Sequence, residues 1–398
     1  MTAALSTVRR ILSQAWPRTI ALYLAGIGTG ALSGHGNLYL MPACFLFIAL
    51  FRAALDSRHR WALALGYYGG FTLTMFPGAA VFFGHAFNPF GITLIWLFVS
   101  GLLAAPWALL CRPDPARLAW AVPCAIALET LPPLGLIGVG NPLNSAGVLF
   151  PHTAWFGVAV VFVLSSLPAI YPRTVLSAMI LLVAACGIFV KSKPAPANWA
   201  AVNTELGGQG LDVTTALENY QAALFIQKTS LEGASSVIVF PESLVEWNTA
   251  TEAFWRRSLD KLHQSHRTMI LGAKIRIPGP SGDYRNVAVI RGADNSIIDQ
   301  RIPIPFTMWN PLTSPSVPLN LYSSEIVTTH GQKAAVLICY EQLLSFPILE
   351  SFQDKPTLLV GIANDYWAKG TYFPAIQRKN LEAWGRLFNV PVLTAVNQ

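Results

Sequence analysis

Three residues of this 398-residue chain stand where side chains of their type do chemistry. Cys339 ends the apolar run AAVLIC and precedes a polar turn, in LICYEQ. A thiol presented at a strand end attacks an acyl carbon once a base has taken its proton. Glu242 follows the apolar run VIVF and a proline, in VIVFPES. Ligand sites of α/β folds gather at such strand ends. Glu341 lies two residues beyond Cys339. Two carboxylates near a thiol raise at least one pKa, as a general base requires. The structural alternatives are a buried free thiol for Cys339 and a helix cap or salt-bridge partner for Glu242. The other four cysteines, Cys44, Cys111, Cys124 and Cys186, lie in or at the ends of hydrophobic stretches, where cysteine packs as a small apolar residue. Cys339 is alone in the second half, with no disulfide partner there.

The elements that would position these residues follow from composition. The chain is 53% hydrophobic and 12% charged, with a mean hydropathy of +0.46. Soluble domains carry about 25% charged residues, so an ordinary cytosolic enzyme is excluded, and disorder with it. The net charge of +7 divides unevenly. Residues 1–190 hold nine Lys and Arg against three Asp and Glu, and the rest of the chain is nearly neutral. No basic stripe exists for nucleic acid. Seven mostly apolar stretches, at roughly 19–35, 38–55, 61–83, 90–111, 118–138, 154–171 and 174–190, have the composition of membrane spans. Pro132 and Pro133 mark a kink or break in the fifth. Arginines cluster in alternate loops, at Arg9, Arg10 and Arg18, at Arg52, Arg58 and Arg60, at Arg112 and Arg117, and at Arg173. The positive-inside rule then puts the N-terminus in the cytoplasm. Seven crossings put everything after Val190 on the other side, the periplasm of a bacterium. The N-terminus lacks the form of a cleavable signal peptide, so the first span is expected to stay as an anchor.

Residues 1–190 are thus expected to be a membrane domain, 191–200 (KSKPAPANWA) a linker, and 201–398 a periplasmic soluble domain. In the last, VIVF (237–240), TMILGAKI (268–275), YRNVAVIRG (284–292), AAVLIC (334–339), TLLVGIA (357–363) and VPVLTAV (390–396) read as strands. Residues 214–232, 250–266 and 373–388 read as helices. Alternation of the two predicts α/β layering.

FPES, then ICYE about 95 residues on, then ANDYW, resembles the nitrilase (carbon–nitrogen hydrolase) superfamily. With seven spans in front, the chain resembles the apolipoprotein N-acyltransferase family. QRIPIPFTMWNP is similar to the shortened relatives of conjugative plasmids, the conjugal transfer protein TraB group. The resemblance implies a multi-span α-helical membrane domain followed by an α-β-β-α sandwich of nitrilase type. It implies Glu242 as general base, Cys339 as nucleophile and Glu341 as the carboxylate beside it. The Tyr340 amide would donate to the oxyanion, and Asn364, Asp365 and Trp367 would line the pocket. Family chemistry moves an acyl chain from a phospholipid through a cysteine thioester to an amine acceptor, a lipidated cysteine, without a cofactor. The TraB resemblance adds conjugation-apparatus proteins as partners, and with them a non-catalytic accessory role as the rival reading. A membrane-tethered hydrolase of small amides is a third.

The chain departs from the family in two places. The family lysine, counted back without gaps from Pro305 and Phe306, falls on Gln300, and the glutamate after PFG has no counterpart at Thr307 and Met308. Arg301, Lys274 or no cation at all remain as alternatives. Losing one oxyanion donor costs about 100- to 1000-fold in rate. The sequence also ends at AVNQ, where family members continue with further strands and a membrane helix, which would leave a sheet edge open for a partner strand.

Glu129 lies inside an apolar stretch, AIALETLPP. An intramembrane carboxylate is a functional hypothesis by default, here a lipid head-group or helix contact, against a place near the interface. His35, His85 and His152 show no metal-ligand spacing. Trp247, Trp255 and Trp309 are candidates for an acyl groove or membrane surface, against simple packing. Gly207, Gly208 and Gly210 form a flexible turn without the lysine of a phosphate loop.

Overall fold

The computed structural model describes residues 2–73, 77–78, 81, 89–206, 216–310 and 312–398. Gly207, Gly208, Gly210 and His85 lie outside them. The chain divides into two compact units, Met1–Lys191 with Thr371–Lys379, and Ser192–Gly370 with Asn380–Gln398.

The first unit is helical. Its main elements are α1 (Thr2–Ser33), α2 (Ser57–Thr72), α3 (Pro89–Leu110), α4 (Pro115–Thr130), α5 (Trp155–Leu164) and α6 (Pro172–Phe189). Asp56 and Asp114 cap α2 and α4 by accepting the amides of His59 and Arg117. Helices α1 and α2 meet through glycines spaced four apart, Gly26 and Gly30 facing Gly66 and Gly70. A Cβ at Gly30 would lie 2.0 Å from the Tyr67 carbonyl, and one at Gly66 2.3 Å from that of Tyr23. Only glycine permits such backbone contact, a small-xxx-small packing of two helices.

Among the described residues, two helices are long and apolar enough to cross a membrane, α3 and α6. Of the seven expected spans, two are corrected by breaks the sequence reading did not mark, and residues 74–76, 79–80 and 82–83 of stretch 61–83 lie outside the described residues. Stretch 38–55 breaks into a 3-10 turn, Leu38–Ala43 with Pro42 inside it, followed by the short helix Cys44–Leu50. Stretch 154–171 breaks after α5, and Pro168 starts the piece Leu167–Ile170. Proline lacks the N–H that a continuing helix needs. Helix α4 likewise stops at Thr130, ahead of Pro132 and Pro133.

The second unit is built from two sheets. The first has the order β1 (Trp199–Ala201), β2 (Val237–Val239), β4 (Thr268–Arg276), β5 (Tyr284–Gly292), β6 (Ser296–Asp299), with β3 (Val245–Glu246) also on β4. The second runs β10 (Val392–Asn397), β9 (Leu358–Asn364), β8 (Gln332–Ile338), β7 (Ile326–Thr329). Strands β1, β2 and β4 are parallel, as are β8, β9 and β10, while β5, β6 and β7 join antiparallel.

Alternating residues sort the layers. Val237, Val239, Ile270 and Ile290 of one sheet pack with Val336, Ile338, Val360 and Ile362 of the other in one buried core. Ile238, Met269 and Val289 point the other way, onto α7 (Ala216–Glu232) and α8 (Thr249–Gln264). The outer face of the second sheet carries α9 (Ser345–Gln353) and the later turns of α10 (Phe373–Phe388), where Gly361 lets Leu381 approach and Phe352 stacks on Phe388. The result is the α-β-β-α sandwich that the resemblance implies. Strand β1 begins inside the expected linker, and β3, β6, β7 and α9 were not read from the sequence. Strand β10 is an edge, yet the Thr204 amide donates to Val396 O and the Gln398 amide to Thr204 O around its end, and Asn203 takes the Val396 amide.

Candidate active site

The carboxyl ends of β2, β8 and β9 bring the thiol and its acids together. After β8, Cys339 takes a left-handed backbone conformation, with φ of 52°. Strain of this kind in a non-glycine residue persists where surrounding structure over-determines it, often at functional sites. A single 3-10 turn, Cys339–Leu343, follows. The thiol donates to the Glu242 carboxylate, and the Tyr340 amide donates to the sulfur. Burial, then the Glu242 charge, pushes the thiol well above its ordinary range. It is therefore protonated at rest and needs an adjacent base.

Glu242, whose carboxylate accepts from the thiol, is placed where such a base would stand. Its Oε1 accepts Asn286 Nδ2 at 2.6 Å, and its Oε2 accepts the Asn364 amide at 2.9 Å. Burial raises its pKa, opposed by these hydrogen bonds and by the charge of Lys274. Lys274 stands on β4, two residues from Gly272 and so on the same face. A Cβ at Gly272 would lie 2.2 Å from the Glu242 Cα, so this face runs directly beneath Glu242. The antiparallel register also sets Lys274 opposite Asn286, which binds Glu242. The ammonium lies 5.7 Å from the centroid of the Tyr284 ring. Burial lowers its pKa against the pull of Glu242 and Glu246. The Tyr284 hydroxyl, also near Glu242 and Cys339, is pushed up to about 12, mainly by burial.

Arg301 is not the site's cation, which corrects that alternative. Its fully buried guanidinium is neutralised by Glu325 at 3.0 Å and Glu350 at 3.2 Å, and donates to Pro347 O and Ser351 Oγ at 3.1 Å each. Glu341 is a brace. Its Oε2 accepts the Ile338 amide at 2.8 Å, and its Oε1 accepts the amides of Arg301 and Ile302. It ties the Cys339 turn to the 301–302 segment. Gln300 is buried, donating to Ile338 O and accepting from Asn286.

Asn364 gives the site its backbone N–H, while its side chain accepts from Asn397. Asp365 follows, completely buried beside Cys339 and Glu242. Trp367 is buried in the next turn, Tyr366–Ala368. Glu129 belongs to the first unit, where its Oε1 accepts from Tyr68 Oη and from Trp107 Nε1 at 2.6 Å. Trp247 and Trp255 are buried 5.5 Å apart between the first sheet and its helices, which makes them core residues. Asn286, Asn397 and Tyr284 were missed in the sequence. Only the pairing of Lys274 with YRNVAVIRG could have flagged Asn286. Among the described residues, no group of three or more His, Cys, Asp and Glu is placed to hold a metal ion.

The arrangement is a four-layer sandwich with a buried cysteine thiol hydrogen-bonded to a carboxylate at its strand ends. No family model matches the chain. It is 30% identical over 412 residues to the conjugal transfer protein TraB of Agrobacterium fabrum (strain C58), covering 98% of this chain and 94% of that one. It is 28% identical over 392 residues to the probable conjugal transfer protein TraB of Sinorhizobium fredii (strain NGR234), covering 94% and 97%. The chain belongs to the TraB family of conjugal transfer proteins. Among solved structures, an amidase mutant from Nesterenkonia sp. AN1 with acrylamide added at its active site cysteine aligns at 10% identity and TM-score 0.34, over 50% of this chain and 76% of that one. A carbon–nitrogen hydrolase from Helicobacter pylori G27 aligns at 13% and 0.34, over 50% and 72%.

Proposed function

We propose that this TraB-family protein is a membrane-bound acyltransferase of nitrilase type, acting through a Cys339 thioester. The observation that carries the proposal is the hydrogen bond from the buried Cys339 thiol to Glu242, with Lys274 on the strand face beneath that carboxylate. Glu242 takes the thiol proton as sulfur attacks the ester carbonyl of a phospholipid. The Tyr340 amide and the Lys274 ammonium oppose the developing oxyanion. The C–O bond breaks, and the leaving alkoxide takes the proton from Glu242. An amine acceptor, of a lipoprotein or another molecule, then displaces the sulfur.

The apolar helices α3 and α6 and the glycine-to-glycine contact of α1 with α2 support the bilayer as the first unit's solvent. Arginine-rich loops support a multi-pass inner-membrane topology with the N-terminus cytoplasmic and the sandwich periplasmic. The relatives' names favour a second reading, a non-catalytic accessory of a conjugation apparatus.

One experiment separates the two. The purified protein is incubated in phospholipid carrying an alkyne-tagged acyl chain, with Cys339→Ala and Glu242→Ala alongside. Hydroxylamine-sensitive label that vanishes in both variants is expected. Folded, thiol-accessible wild type that takes no label would overturn acylation and leave the accessory reading.

A further inference from the structure

The carbonyl end of α3 collects guanidinium groups that the fold does not use up. Arg60 of α2 donates from Nε to the Ala108 carbonyl at 2.8 Å, and Arg117 of α4 donates from Nε to the Leu110 carbonyl at 3.3 Å. Basic side chains satisfy the last carbonyls of a helix in this way. Each spends only its Nε–H there. Among the described residues, the terminal nitrogens of Arg60 and Arg117 have no hydrogen-bond partner, and the side chain of Arg112, just past the end of α3, has none. Arg60 is nevertheless only 8% exposed. Arginine is rarely buried to that degree without a paired anion. An arginine that only orients the chain in a membrane needs no such burial, and Arg173, at the start of α6, is exposed.

The charges at this end do not balance. Arg112 and Arg117 are close enough to Arg60 to repel it, and Asp56 is close enough to attract it. Asp56 and Asp114 are already engaged as caps of α2 and α4, accepting the amides of His59 and Arg117. Each of these carboxylates is about half offset by the helix start it caps, and the carbonyl end of α3 adds about half a negative charge. The three guanidiniums therefore keep a surplus of about one and a half positive charges. Arg117 also lies over the ring of Trp120, 5.5 Å from its centroid, and Trp120 is 48% exposed. Exposed tryptophan is enriched at the depth of lipid head groups.

We infer that Arg60, Arg112 and Arg117 form a phosphate-binding site, and that its ligand is the phosphodiester of an anionic phospholipid. Guanidinium forks match phosphate oxygens in geometry and charge. A diester in an anionic lipid brings one net negative charge, close to the surplus. A zwitterionic lipid carries its own ammonium and leaves the surplus in place. The lipid here is bound and not consumed. Every residue of the site belongs to the first unit, so the inference is independent of acyl transfer at Cys339. It rests on the bilayer reading proposed above for that unit.

The test follows thermal unfolding of the full chain in detergent, as wild type, Arg112→Gln and Arg173→Gln. Each is titrated with phosphatidylglycerol, with phosphatidylcholine, and with inorganic phosphate against sodium chloride of equal ionic strength. Arg112 is exposed and its side chain bonds nothing among the described residues, so its replacement is expected to leave the fold intact. Phosphatidylglycerol should raise the wild-type Tm and phosphatidylcholine should not. The phosphatidylglycerol concentration giving half of that rise should increase about 10- to 100-fold in Arg112→Gln, as for lost hydrogen bonds to a charged group. Arg173→Gln should match wild type. Equal response of wild type to the two lipids overturns the inference, and this comparison needs no variant. An unchanged response in Arg112→Gln overturns it too, as does an equal loss in Arg112→Gln and Arg173→Gln, which reduces the effect to bulk charge. A Tm rise with inorganic phosphate, beyond that of the salt and absent from Arg112→Gln, keeps the phosphate site and overturns its assignment to lipid.

Discussion

Replacing Gly272 with alanine isolates the placement of the base from its chemistry. The new Cβ would lie 2.2 Å from the Glu242 Cα, 2.3 Å from the Pro241 carbonyl oxygen and 2.8 Å from the Glu242 carbonyl carbon. All three are backbone atoms and cannot swing aside. Ordinary contact begins near 3.4 Å, so β4 and the Pro241–Glu242 turn must part by about 1 Å. Overpacking of this kind costs about 1–3 kcal/mol, equivalent to a fall in Tm of several degrees. A misplacement of about 1 Å costs about 100-fold in rate. Gly361→Ala is the control. There a Cβ meets the Leu381 and Gln342 side chains, at 2.5 and 2.8 Å, on the sheet face away from Glu242. Thermal unfolding in detergent is measured beside thioester formation and the alkylation rate of Cys339 against pH. Gly272→Ala should lose thioester formation far beyond what its Tm implies, and Gly361→Ala should lose stability in proportion. Wild-type thioester formation and an unchanged alkylation profile in Gly272→Ala would refute the claim that β4 sets the base.

Three further outcomes follow from the same geometry. Glu242 acts as base only above its raised pKa, so the acid limb of activity should lie above the ordinary carboxylate value of about 4.3, and the lowered pKa of Lys274 should bring the alkaline limb below about 10.4. Lys274→Arg should move only the alkaline limb upward, because arginine stays charged beyond pH 12, and an unmoved alkaline limb would show that Lys274 does not titrate in the reaction. Asp365, with its folded pKa raised, holds a proton that the unfolded chain loses near pH 4, so its contribution to stability falls as pH rises by about 1.4 kcal/mol per unit until the folded group ionises. Asp365→Asn should remove that slope, seen as a stability gain over wild type that grows from pH 4 upward, and parallel curves would reject the shift. Gly66→Leu should abolish a detergent-stable fold, because its Cβ would strike the Tyr23 carbonyl, whereas Gly28→Leu, with nothing within 4 Å, should be tolerated; equal behaviour would reject the α1–α2 contact.

What the sequence disclosed and what it hid have physical causes. Strand runs such as YRNVAVIRG are long, β-branched and bounded by turn residues, so β5 was legible to the residue. Strands β3 and β6 are too short and too polar to carry a period. The apolar stretches at 38–55 and 154–171 were legible as greasy, whereas their breaks depend on where Pro42 and Pro168 fall within a turn. Glu242 and Cys339 announced themselves as polar groups directly after buried strands. Asn286 did not, because an asparagine inside a strand is ordinary until register sets it opposite Lys274. Arg301 misled for a related reason. Its charge is visible in sequence, but Glu325 and Glu350, which neutralise it, come from distant segments.

The proposed use of Lys274 in place of a lysine at Gln300 would have a structural logic. The resemblance places the family lysine at Gln300, one residue past β6, where the Gln300 amide donates to the Asn286 carbonyl at 2.8 Å. Lys274 is the cross-strand partner of the same Asn286 on the opposite side, along β4. Asn286 Nδ2 reaches both Glu242 and Gln300, at 2.6 and 2.9 Å. Positions 274 and 300 therefore flank one asparagine that grips the base. An ammonium moved from one flank to the other stays next to Glu242, and the vacated flank needs only a neutral donor to Ile338 O, which Gln300 provides at 3.2 Å. Lys274→Gln should lower thioester formation by about 100- to 1000-fold, the usual loss for one oxyanion donor. Adding Gln300→Lys should restore a large part of it, a coupling that independent sites do not show. If the double variant is as poor as Lys274→Gln while remaining folded, the two flanks are not equivalent, and the ammonium of Lys274 serves the site from a position that lysine 300 cannot reach.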